Sequence, residues 1–265
     1  MRLVAATVAA AALLASCGSS PTSESPAPPP VGAVVDYQLG GAYEPAAEVD
    51  VVTRDRTDEP DPERYSICYV NGFQTQPGMR DDLANQHGAD LLLQRDGPDV
   101  IDPDWPDETL FDISTPDRRD RLGAVVGDWI RACASDGFDA VEIDNLDSWT
   151  RSQDLLTADD AVAFARLLVE TAHETDLAIG QKNSAELDGA ALGFDFAVAE
   201  ECAVYDECDA YTALYGGHVI QIEYTDNGRE AFEQSCADAA GERSILLRDR
   251  DVVTDHDPAY VFEHC

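Results

Sequence analysis

The stretch GFDAVEIDNLDSW, residues 137–149, contains a short apolar segment that ends abruptly in polar side chains. Its residues 140–144, AVEID, have the length and apolar content of a buried β-strand. Helical patterns lie on either side of this segment, at 117–135 and 158–175. A strand between two helices is the repeating unit of a parallel sheet that is covered on both faces. The stretch therefore predicts an α/β fold.

Similar segments alternate with helical patterns from Val34 onward. The helix at 158–175 opens with Thr157 and Asp160, which have the spacing of a capping box. The segment LGGAYEP (39–45) lacks the G-x-G-x-x-G loop of a dinucleotide-binding sheet. About eight strand–helix repeats favour closure into a TIM (β/α)8-type barrel. Nine segments have the pattern of a strand, which is one more than an eight-stranded barrel needs. They are 34–39, 49–53, 65–70, 110–114, 140–144, 177–181, 195–199, 219–224 and 244–248.

The chain is strongly acidic, with 53 Asp and Glu residues against 17 Lys and Arg residues and a net charge of -36. This charge excludes nucleic acid as a partner, because a phosphate backbone needs a basic surface. It also argues against binding to anionic lipid headgroups through a basic patch. An acidic cleft would attract a polycationic ligand, whereas the alternative is an acidic surface that serves only solubility or salt tolerance. We expect a monomer.

The first residues indicate export. Residues 1–16 have one basic residue followed by an apolar run, and they resemble a bacterial lipoprotein signal peptide that is cleaved before a lipidated Cys17. An ordinary secretory signal is the alternative. Residues 17–33 are rich in Ser and Pro and predict an extended, disordered tether. We therefore expect a barrel over 34–265 that is an extracytoplasmic, membrane-anchored lipoprotein or is secreted, with the lipid anchor as its only membrane contact.

Six cysteines remain when Cys17 is set aside. An even number of cysteines in an exported protein predicts disulfides, and the chain lacks the C-x-x-C pairs of a zinc site. Six cysteines allow 15 pairings, and the sequence does not determine which of them forms. The short loop from Cys202 to Cys208 is the easiest to close, and the pairs Cys236–Cys265 and Cys68–Cys133 would then follow by elimination.

Polar residues gather where the predicted strands end. In a parallel barrel the catalytic groups lie at the carboxyl ends of the strands, so these residues would meet at one mouth. A single carboxylate at such a position can instead be the N-cap of the next helix, but several consecutive strands end in this way. The residues concerned are Tyr69 and Asn71; Asp144, Asn145 and Asp147; Gln181, Lys182 and Asn183; Glu200 and Glu201; and Glu223 and Tyr224.

Lys182 is the single lysine of the chain, since the other sixteen basic residues are arginine. Carboxylates that converge on one mouth repel each other, and one cation among them keeps a chosen member ionised. A structural salt bridge is the alternative role. We favour a role in the site, in which Lys182 keeps one of the carboxylates ionised.

Two carboxyl groups, one ionised and one neutral, are the groups that cleave a glycosidic bond. Tyr69, Trp149 and Tyr224 could stack on sugar rings, although each could equally belong to the core. The sequence has no G-x-S-x-G elbow for a nucleophilic serine and no H-E-x-x-H pair for zinc. We expect no cofactor and no metal ion.

Several motifs resemble glycoside-hydrolase family 114, whose members are endo-α-1,4-polygalactosaminidases and their relatives with a TIM-barrel fold. The resemblance covers residues 34–224 and extends toward the C-terminus. The blocks that carry it, in order, are YSICYVNG, GFDAVEIDNLDSW, AIGQKNSAEL, FDFAVAEECAVYDECDAY and VIQIEY.

The resemblance implies that Asp144 is the catalytic nucleophile and that Glu200 is the general acid/base. With these roles, we expect Lys182 to hold Asp144 ionised while Glu200 stays protonated. It also implies a galactosamine-containing polysaccharide as the substrate. A cell-surface lipoprotein that binds such a glycan without cleaving it is the alternative. The substrate-binding candidates are Tyr69, Asn145, Asp147, Trp149, Lys182, Asn183, Glu201, Glu223 and Tyr224.

Overall fold

The computed structural model describes residues 26–265. In these residues one sheet of nine strands follows the chain order from first to last. Its strands are β1 (Val35–Gln38), β2 (Val51–Asp55), β3 (Tyr65–Asn71), β4 (Ala140–Asp144), β5 (Ala178–Lys182), β6 (Phe196–Glu200), β7 (Val219–Tyr224), β8 (Ser244–Arg248) and β9 (Phe262–His264). The helices are α1 (Arg80–His87), α2 (Pro116–Asp136), α3 (Ala158–Glu174), α4 (Gly189–Leu192), α5 (Cys208–Tyr215) and α6 (Glu230–Ala239).

Strands β1 to β8 are parallel and curl into a nearly closed barrel, which confirms the TIM-barrel-like α/β fold. The helices surround the barrel from β3 onward, but the β1–β2 and β2–β3 connections contain no helix. The two helices predicted from the sequence are α2 and α3. Thr157 and Asp160 form the expected capping box at the start of α3, each accepting a hydrogen bond from the backbone N–H of the other.

Eight of the nine strand candidates correspond to β1–β8, and the candidate at 110–114 is wrong. Leu110 and Phe111 lie in the long β3–α2 connection, where they make isolated antiparallel bridges to Gln74 and Leu92. The run is apolar because its side chains are buried between this connection and the rest of the protein. The ninth strand of the sheet is β9, which pairs antiparallel with β8. Three residues with partly exposed side chains are too short and too polar to be recognised as a strand.

Arg248 bridges the seam between the last and the first parallel strands. This β8 side chain is fully buried, and its Nη1 donates to the carbonyl oxygen of Tyr37 in β1. Nη2 donates to the carbonyl oxygen of Val253, 2.9 Å away. β7 pairs with one edge of β8 and β9 pairs with the other, so no backbone ladder joins β8 to β1. The side chain of Arg248 makes this connection instead.

The side chains of each strand alternate between the barrel interior and the helices, as the pleat requires. In β4, Val141 and Ile143 belong to the apolar layer under the helices, whereas Ala140 belongs to the apolar cluster inside the barrel. Glu142 and Asp144 have the same parity as Ala140, so the interior of the barrel changes from apolar to charged toward the carboxyl ends of the strands.

Residues 26–33, which composition indicated as the end of a free tether, contact the amino-terminal end of the barrel. The hydroxyl of Tyr65 donates to the carbonyl oxygen of Ala27 at 2.7 Å. His218 Nδ1 lies 3.0 Å from the carbonyl oxygen of Pro29. The predicted signal peptide and Cys17 lie outside the described residues. Within 26–265, no helix has the length and apolar character needed to cross a membrane.

Three disulfides join the six cysteines of the described region in the pairs obtained by elimination. Cys68–Cys133 fastens β3 to α2, and Cys202–Cys208 closes the loop between β6 and α5. Cys236–Cys265 attaches the end of β9 to α6.

Candidate active site

Lys182 lies at the carboxyl end of β5, where its ammonium group is enclosed by oxygen atoms. Its side chain is 2% exposed, and Nζ donates to the hydroxyl of Tyr37 at 3.0 Å. Three carboxyl groups surround the same atom: Glu142 Oε1 at 3.1 Å, Glu200 Oε2 at 3.3 Å and Asp144 Oδ2 at 3.7 Å. The single lysine of the chain therefore lies between the two predicted catalytic residues.

Asp144 is held by hydrogen bonds to both of its carboxylate oxygens. The hydroxyl of Tyr69 donates to Oδ2 at 2.6 Å, and the backbone N–H of Asn145 donates to Oδ1 at 2.8 Å. The side chain remains partly exposed to the cavity. These hydrogen bonds to both oxygens fix the carboxyl group in one orientation beside the ammonium group of Lys182.

Glu200, at the end of β6, is fixed by residues of the neighbouring strands. Asn183 Nδ2 donates to Oε2 at 3.0 Å, and the hydroxyl of Tyr224 donates to Oε1. The backbone N–H of Glu200 donates to Asn183 Oδ1 at 2.8 Å, so two hydrogen bonds join Asn183 and Glu200. Like Asp144, Glu200 keeps part of its side chain open to the cavity.

Glu142 is a third carboxyl group that lies inside the barrel one layer below the pair. It is completely buried; the hydroxyl of Tyr37 donates to Oε1 at 2.6 Å, and Oε2 has no partner. Burial raises the pKa of Glu142 to about 7, although the nearby charge of Lys182 opposes this shift. Glu142 therefore carries a proton at mildly acidic pH, unlike an ordinary glutamate.

The pKa of Lys182 is well above its usual value. Burial lowers this pKa, but the surrounding charges of Asp144, Glu200 and Glu142 raise it by more, so the side chain stays a cation. We expected Lys182 to stabilise Asp144 in particular. In the structure Nζ lies closer to Glu200 than to Asp144, so the lysine contacts both carboxyl groups and does not distinguish them.

The strands that carry Asp144, Lys182 and Glu200 are each followed directly by a residue in the left-handed backbone region. These residues are Asn145 (φ 65°), Asn183 (φ 51°) and Glu201 (φ 57°). Asparagine tolerates this conformation better than most residues, whereas glutamate rarely adopts it. Backbone strain of this kind is typical of functional sites, where the surrounding structure holds the residue in place.

The carboxyl ends of the strands surround a cavity of about 890 Å³. It brings together Asp144, Glu200 and seven of the nine predicted binding residues: Tyr69, Asn145, Asp147, Lys182, Asn183, Glu201 and Tyr224. The hydroxyls of Tyr69 and Tyr224 donate to Asp144 and Glu200, and the side chain of Tyr224 is buried whereas that of Tyr69 is half-buried.

Two predicted binding residues, Trp149 and Glu223, lie outside this cavity. Trp149 packs against the apolar core between the sheet and the helices. Glu223 points to the outer face of β7, because it alternates with the inward-facing Tyr224; there it accepts hydrogen bonds from Gln221 Nε2 and from the backbone N–H of Ala203. Burial raises the pKa of Glu223.

Other residues of the site were not predicted from the sequence. Glu142 had a usable signal, since it precedes Asp144 by two positions in a strand and must face the same side. Tyr37 had no such signal, because it does not lie at the end of its strand or in a motif of the family. Arg151 and Asp102 are far apart in sequence but in contact in the fold. Arg151 Nε donates to Asp102 Oδ2 at 2.8 Å, and Arg151 Nη2 donates to Asn145 Oδ1 at 2.9 Å.

One group of three potential metal ligands occurs among the described residues, formed by Cys202, Cys208 and Glu223. The two sulfur atoms are joined in a disulfide, so neither is available as a thiolate. The group lies behind β7 and away from the carboxylates of the cavity.

Known structures share this architecture. Ega3 from Aspergillus fumigatus, solved in complex with galactosamine, superposes with a TM-score of 0.71 at 21% identity, covering 93% of this chain and 100% of the Ega3 chain. The glycoside hydrolase domain of PelA from Pseudomonas aeruginosa superposes with a TM-score of 0.56 at 13% identity, covering 86% of this chain and 97% of that domain. At these identities the likeness shows the fold alone. A comparison with curated proteins found no match.

The sequence also matches a defined family over almost its whole length. The description of that family is "Glycoside-hydrolase family GH114", and the match covers residues 18–265. It includes every strand of the barrel and all residues of the cavity, in agreement with the resemblance seen in the sequence motifs. The chain therefore belongs to glycoside-hydrolase family GH114.

Proposed function

We propose that this protein is an exported endo-glycosidase that hydrolyses α-1,4 linkages in a galactosamine-containing polysaccharide. The observation that carries the proposal is the contact of Asp144 and Glu200 with one buried ammonium group in one open cavity. Two carboxyl groups that share a cavity are the groups needed for acid-assisted displacement at an anomeric carbon.

In the proposed first step, Asp144 attacks the anomeric carbon while Glu200 gives its proton to the departing glycosidic oxygen. The bond to the leaving sugar breaks, and a glycosyl ester forms on Asp144. In the second step Glu200 takes a proton from water, the water oxygen attacks the anomeric carbon, and Asp144 leaves as a carboxylate. The common contact with Lys182 brings the two carboxyl groups together in one cavity, which supports their action on the same glycosidic bond.

The charge of the cavity supports a cationic sugar polymer as the substrate. Besides the reacting pair, the lining includes seven further carboxyl groups and two arginines. A galactosamine unit with a free amine carries a positive charge, which such a lining attracts. The complex of Ega3 with galactosamine supports the same class of sugar. The carboxyl groups are Asp55, Asp102, Asp104, Glu108, Asp147, Glu201 and Asp251.

The alternative is a barrel that binds the glycan without cleaving it. A binding protein needs carboxylates to attract the amines, but it does not need a second, hydrogen-bonded carboxyl group on the same lysine. Two hydrogen bonds join Asn183 and Glu200, and Tyr69 donates a third to Asp144. These bonds hold both carboxyl groups in the defined orientations that the proposed displacement needs. This organisation favours catalysis.

A reducing-end assay on partially deacetylated polygalactosamine tests the proposal. The protein should release new reducing ends, whereas Asp144→Asn and Glu200→Gln should each lower the rate by about a thousandfold or more because each removes a group that takes part in the displacement. Both changes are nearly isosteric and lie at the solvent-facing mouth, so thermal unfolding should be almost unchanged.

Two outcomes of this assay would contradict the proposal. Binding of the polymer without release of reducing ends would favour the glycan-binding alternative. Full activity of Asp144→Asn would place the nucleophile elsewhere, and Asp147 would then be the next residue to test.

We also propose that the protein is exported, either as a lipoprotein anchored through Cys17 or as a secreted protein. The three disulfides support this, because such bonds persist in oxidising compartments. The mass of the mature N-terminus distinguishes the two forms: a diacylglyceryl group on Cys17 supports the anchor, and an unmodified start elsewhere excludes it.

A further inference from the structure

Two aromatic side chains stand exposed at the mouth of the cavity. Trp105 is 57% exposed and Tyr205 is 64% exposed, and both line the cavity that contains Asp144 and Glu200. They are the most exposed of the large hydrophobic side chains in the described region. Aromatic side chains gain free energy from burial, so their exposure at a cavity mouth indicates a ligand-binding role.

The loop that carries Trp105 is fixed to the catalytic strand by charged side chains. Asp102 Oδ1 accepts hydrogen bonds from the backbone N–H groups of Asp104, at 2.9 Å, and of Trp105, at 3.3 Å. Asp102 Oδ2 accepts a hydrogen bond from Arg151, whose guanidinium group also binds Asn145 beside Asp144. This chain of contacts holds the Trp105 loop in a defined position relative to the proposed nucleophile.

The loop that carries Tyr205 is fixed by covalent and backbone contacts. The Cys202–Cys208 disulfide closes it, with the two Cα atoms 4.8 Å apart. The backbone N–H of Tyr205 donates to the carbonyl oxygen of Glu201 at 3.1 Å, and that of Glu207 donates to the carbonyl oxygen of Cys202 at 2.8 Å. An exposed tyrosine on a braced loop loses little conformational freedom when it binds a ligand.

The order of the strands places the two aromatic residues on different sides of the mouth. Trp105 follows β3, next to the strand that ends in Asp144, whereas Tyr205 follows β6, which ends in Glu200. The two carrying strands are separated by β4 and β5 in the barrel. A chain of sugars that crosses the mouth over the carboxyl pair would meet one aromatic residue before the pair and the other after it.

We propose that Trp105 and Tyr205 are stacking platforms that bind amino-sugar units of the polymer on either side of the bond to be cleaved. Pyranose rings present apolar C–H faces that pack on aromatic rings, and a nearby ammonium group is attracted to the ring face. Asp104, which precedes Trp105 in the chain, also lines the cavity and adds attraction for the amines. This inference rests on the proposed function and assigns the outer binding subsites that an endo-acting enzyme needs.

Tryptophan fluorescence gives a direct test, because Trp105 is the exposed member of the three tryptophans. Trp129 packs under the guanidinium group of Arg56, and Trp149 packs against the core. In an Asp144→Asn background, which binds without cleaving, long oligosaccharides of partially deacetylated α-1,4-galactosamine should shift the emission to the blue. The shift should be absent in the Asp144→Asn, Trp105→Ala double variant.

Kinetics on the otherwise unaltered protein provides the second readout. Trp105→Ala and Tyr205→Ala should each raise KM for the long polymer by about tenfold, and Trp105→Phe should restore most of the loss because it keeps an aromatic face. Ile101→Ala and Val204→Ala are matched controls, since these exposed side chains lie on the same loops but do not line the cavity. The controls should leave KM unchanged.

The outcomes separate this inference from the function on which it rests. If the parent protein cleaves the polymer and both alanine variants keep its KM, the platforms are wrong while the proposed function stands. An emission spectrum that saturating oligosaccharide leaves unchanged would exclude Trp105 as a platform. If the parent protein neither binds nor cleaves the polymer, the proposed function fails and this inference fails with it.

Discussion

Lys182 has a position that suits both halves of a double displacement. In the proposed mechanism Asp144 acts as a carboxylate and Glu200 as a carboxylic acid in the first step, and in the glycosyl ester Asp144 is neutral and Glu200 is charged. One negative charge is therefore present at each stage, and it moves from one side of Nζ to the other. An ammonium group 3.7 Å from Asp144 and 3.3 Å from Glu200 can stabilise both arrangements without moving far.

Replacing Lys182 with methionine should remove this stabilisation. Lys182→Met should lower kcat by about a hundredfold, the order of magnitude for losing one preorganised electrostatic partner. Steady-state kinetics of the protein and the variant check this, and an unchanged kcat would contradict it.

Glu142 should make the stability of the protein depend on pH. The folded state keeps Glu142 protonated to about pH 7, whereas an unfolded glutamate loses its proton near its ordinary value of 4.5. Between these two values the folded state binds more protons, so this group stabilises the fold at low pH and its contribution is lost as the pH rises toward 7.

Glu142→Gln should remove that pH dependence. Relative to the variant, the free energy of unfolding of the parent should fall by about 3 kcal/mol between pH 4.5 and pH 7, and denaturant titrations across this range measure the difference. Glu174→Gln, at an exposed position of α3, is the control and should show no such trend. A constant difference between the parent and Glu142→Gln would contradict the buried, protonated state.

The sequence located the residues that meet at the centre of the cavity better than their surroundings. Asp144, Lys182 and Glu200 were recognisable because each ends a strand and lies in a motif of the family. Trp149 was misplaced because the sequence does not show which way a side chain turns after a strand. Glu223 and Tyr224 are neighbours in β7 and face opposite sides of the sheet, so only one of them could line the cavity, and the sequence does not show which.

At the scale of single elements, the β5–β6 pair shows how the barrel interior limits side-chain size. Gly180 faces inward between Ala178 and Lys182 and is paired in register with Phe196. A Cβ atom on Gly180 would lie 2.6 Å from two atoms of the Phe196 ring. The ring fills the space below Lys182 that a larger residue at position 180 would occupy.

Gly180→Ala should therefore destabilise the barrel by about 1–3 kcal/mol, the usual range for overpacking a core. The matched control is Gly123→Ala in α2, where the nearest atom to the new Cβ would be 3.5 Å away, an ordinary contact. That change should be neutral or stabilising by up to about 1 kcal/mol, because alanine favours helix more than glycine does. Thermal unfolding compares the two; equal stability of both variants would contradict the packing of Phe196.

Most elements could be predicted because their patterns are local. The strands β1–β8 are short apolar runs, and α2 and α3 have clear apolar faces. The candidate at 110–114 failed because burial under a long connection produces the same apolar run as a strand. β9 was missed because its pairing depends on β8 and on the disulfide to α6, which lie far from it in sequence.

At the scale of the whole molecule, the charge of -36 should influence how fast a cationic polymer reaches the cavity. Electrostatic steering raises association rates at low ionic strength and is screened as salt is added. The value of kcat/KM for deacetylated polymer should therefore fall by about tenfold between low and physiological salt. A fully acetylated, uncharged polymer is the control substrate, and an equal salt effect on both would show that the acidic surface does not attract the substrate.

The barrel as a whole was predictable from the alternation of strands and helices, but the outer parts of the cavity were not. Trp105 and Tyr205 come from connections whose course depends on Arg151, on Asp102 and on a disulfide. Some of these contacts join residues that are far apart in sequence, and others involve residues that belong to no periodic pattern. Sequence patterns thus located the carboxyl groups and the lysine at the centre of the cavity, and the structure was needed to find what surrounds them.

Trapping the intermediate tests the central claim most directly. The Glu200→Gln variant should still react with a galactosamine oligosaccharide that carries an aryl leaving group needing no acid, but it should release the product slowly because the general base is missing. Peptide mapping by mass spectrometry should then find one glycosyl group esterified to Asp144. A glycosyl group on another carboxylate, or turnover of the aryl glycoside with inverted anomeric configuration, would contradict the double displacement at Asp144.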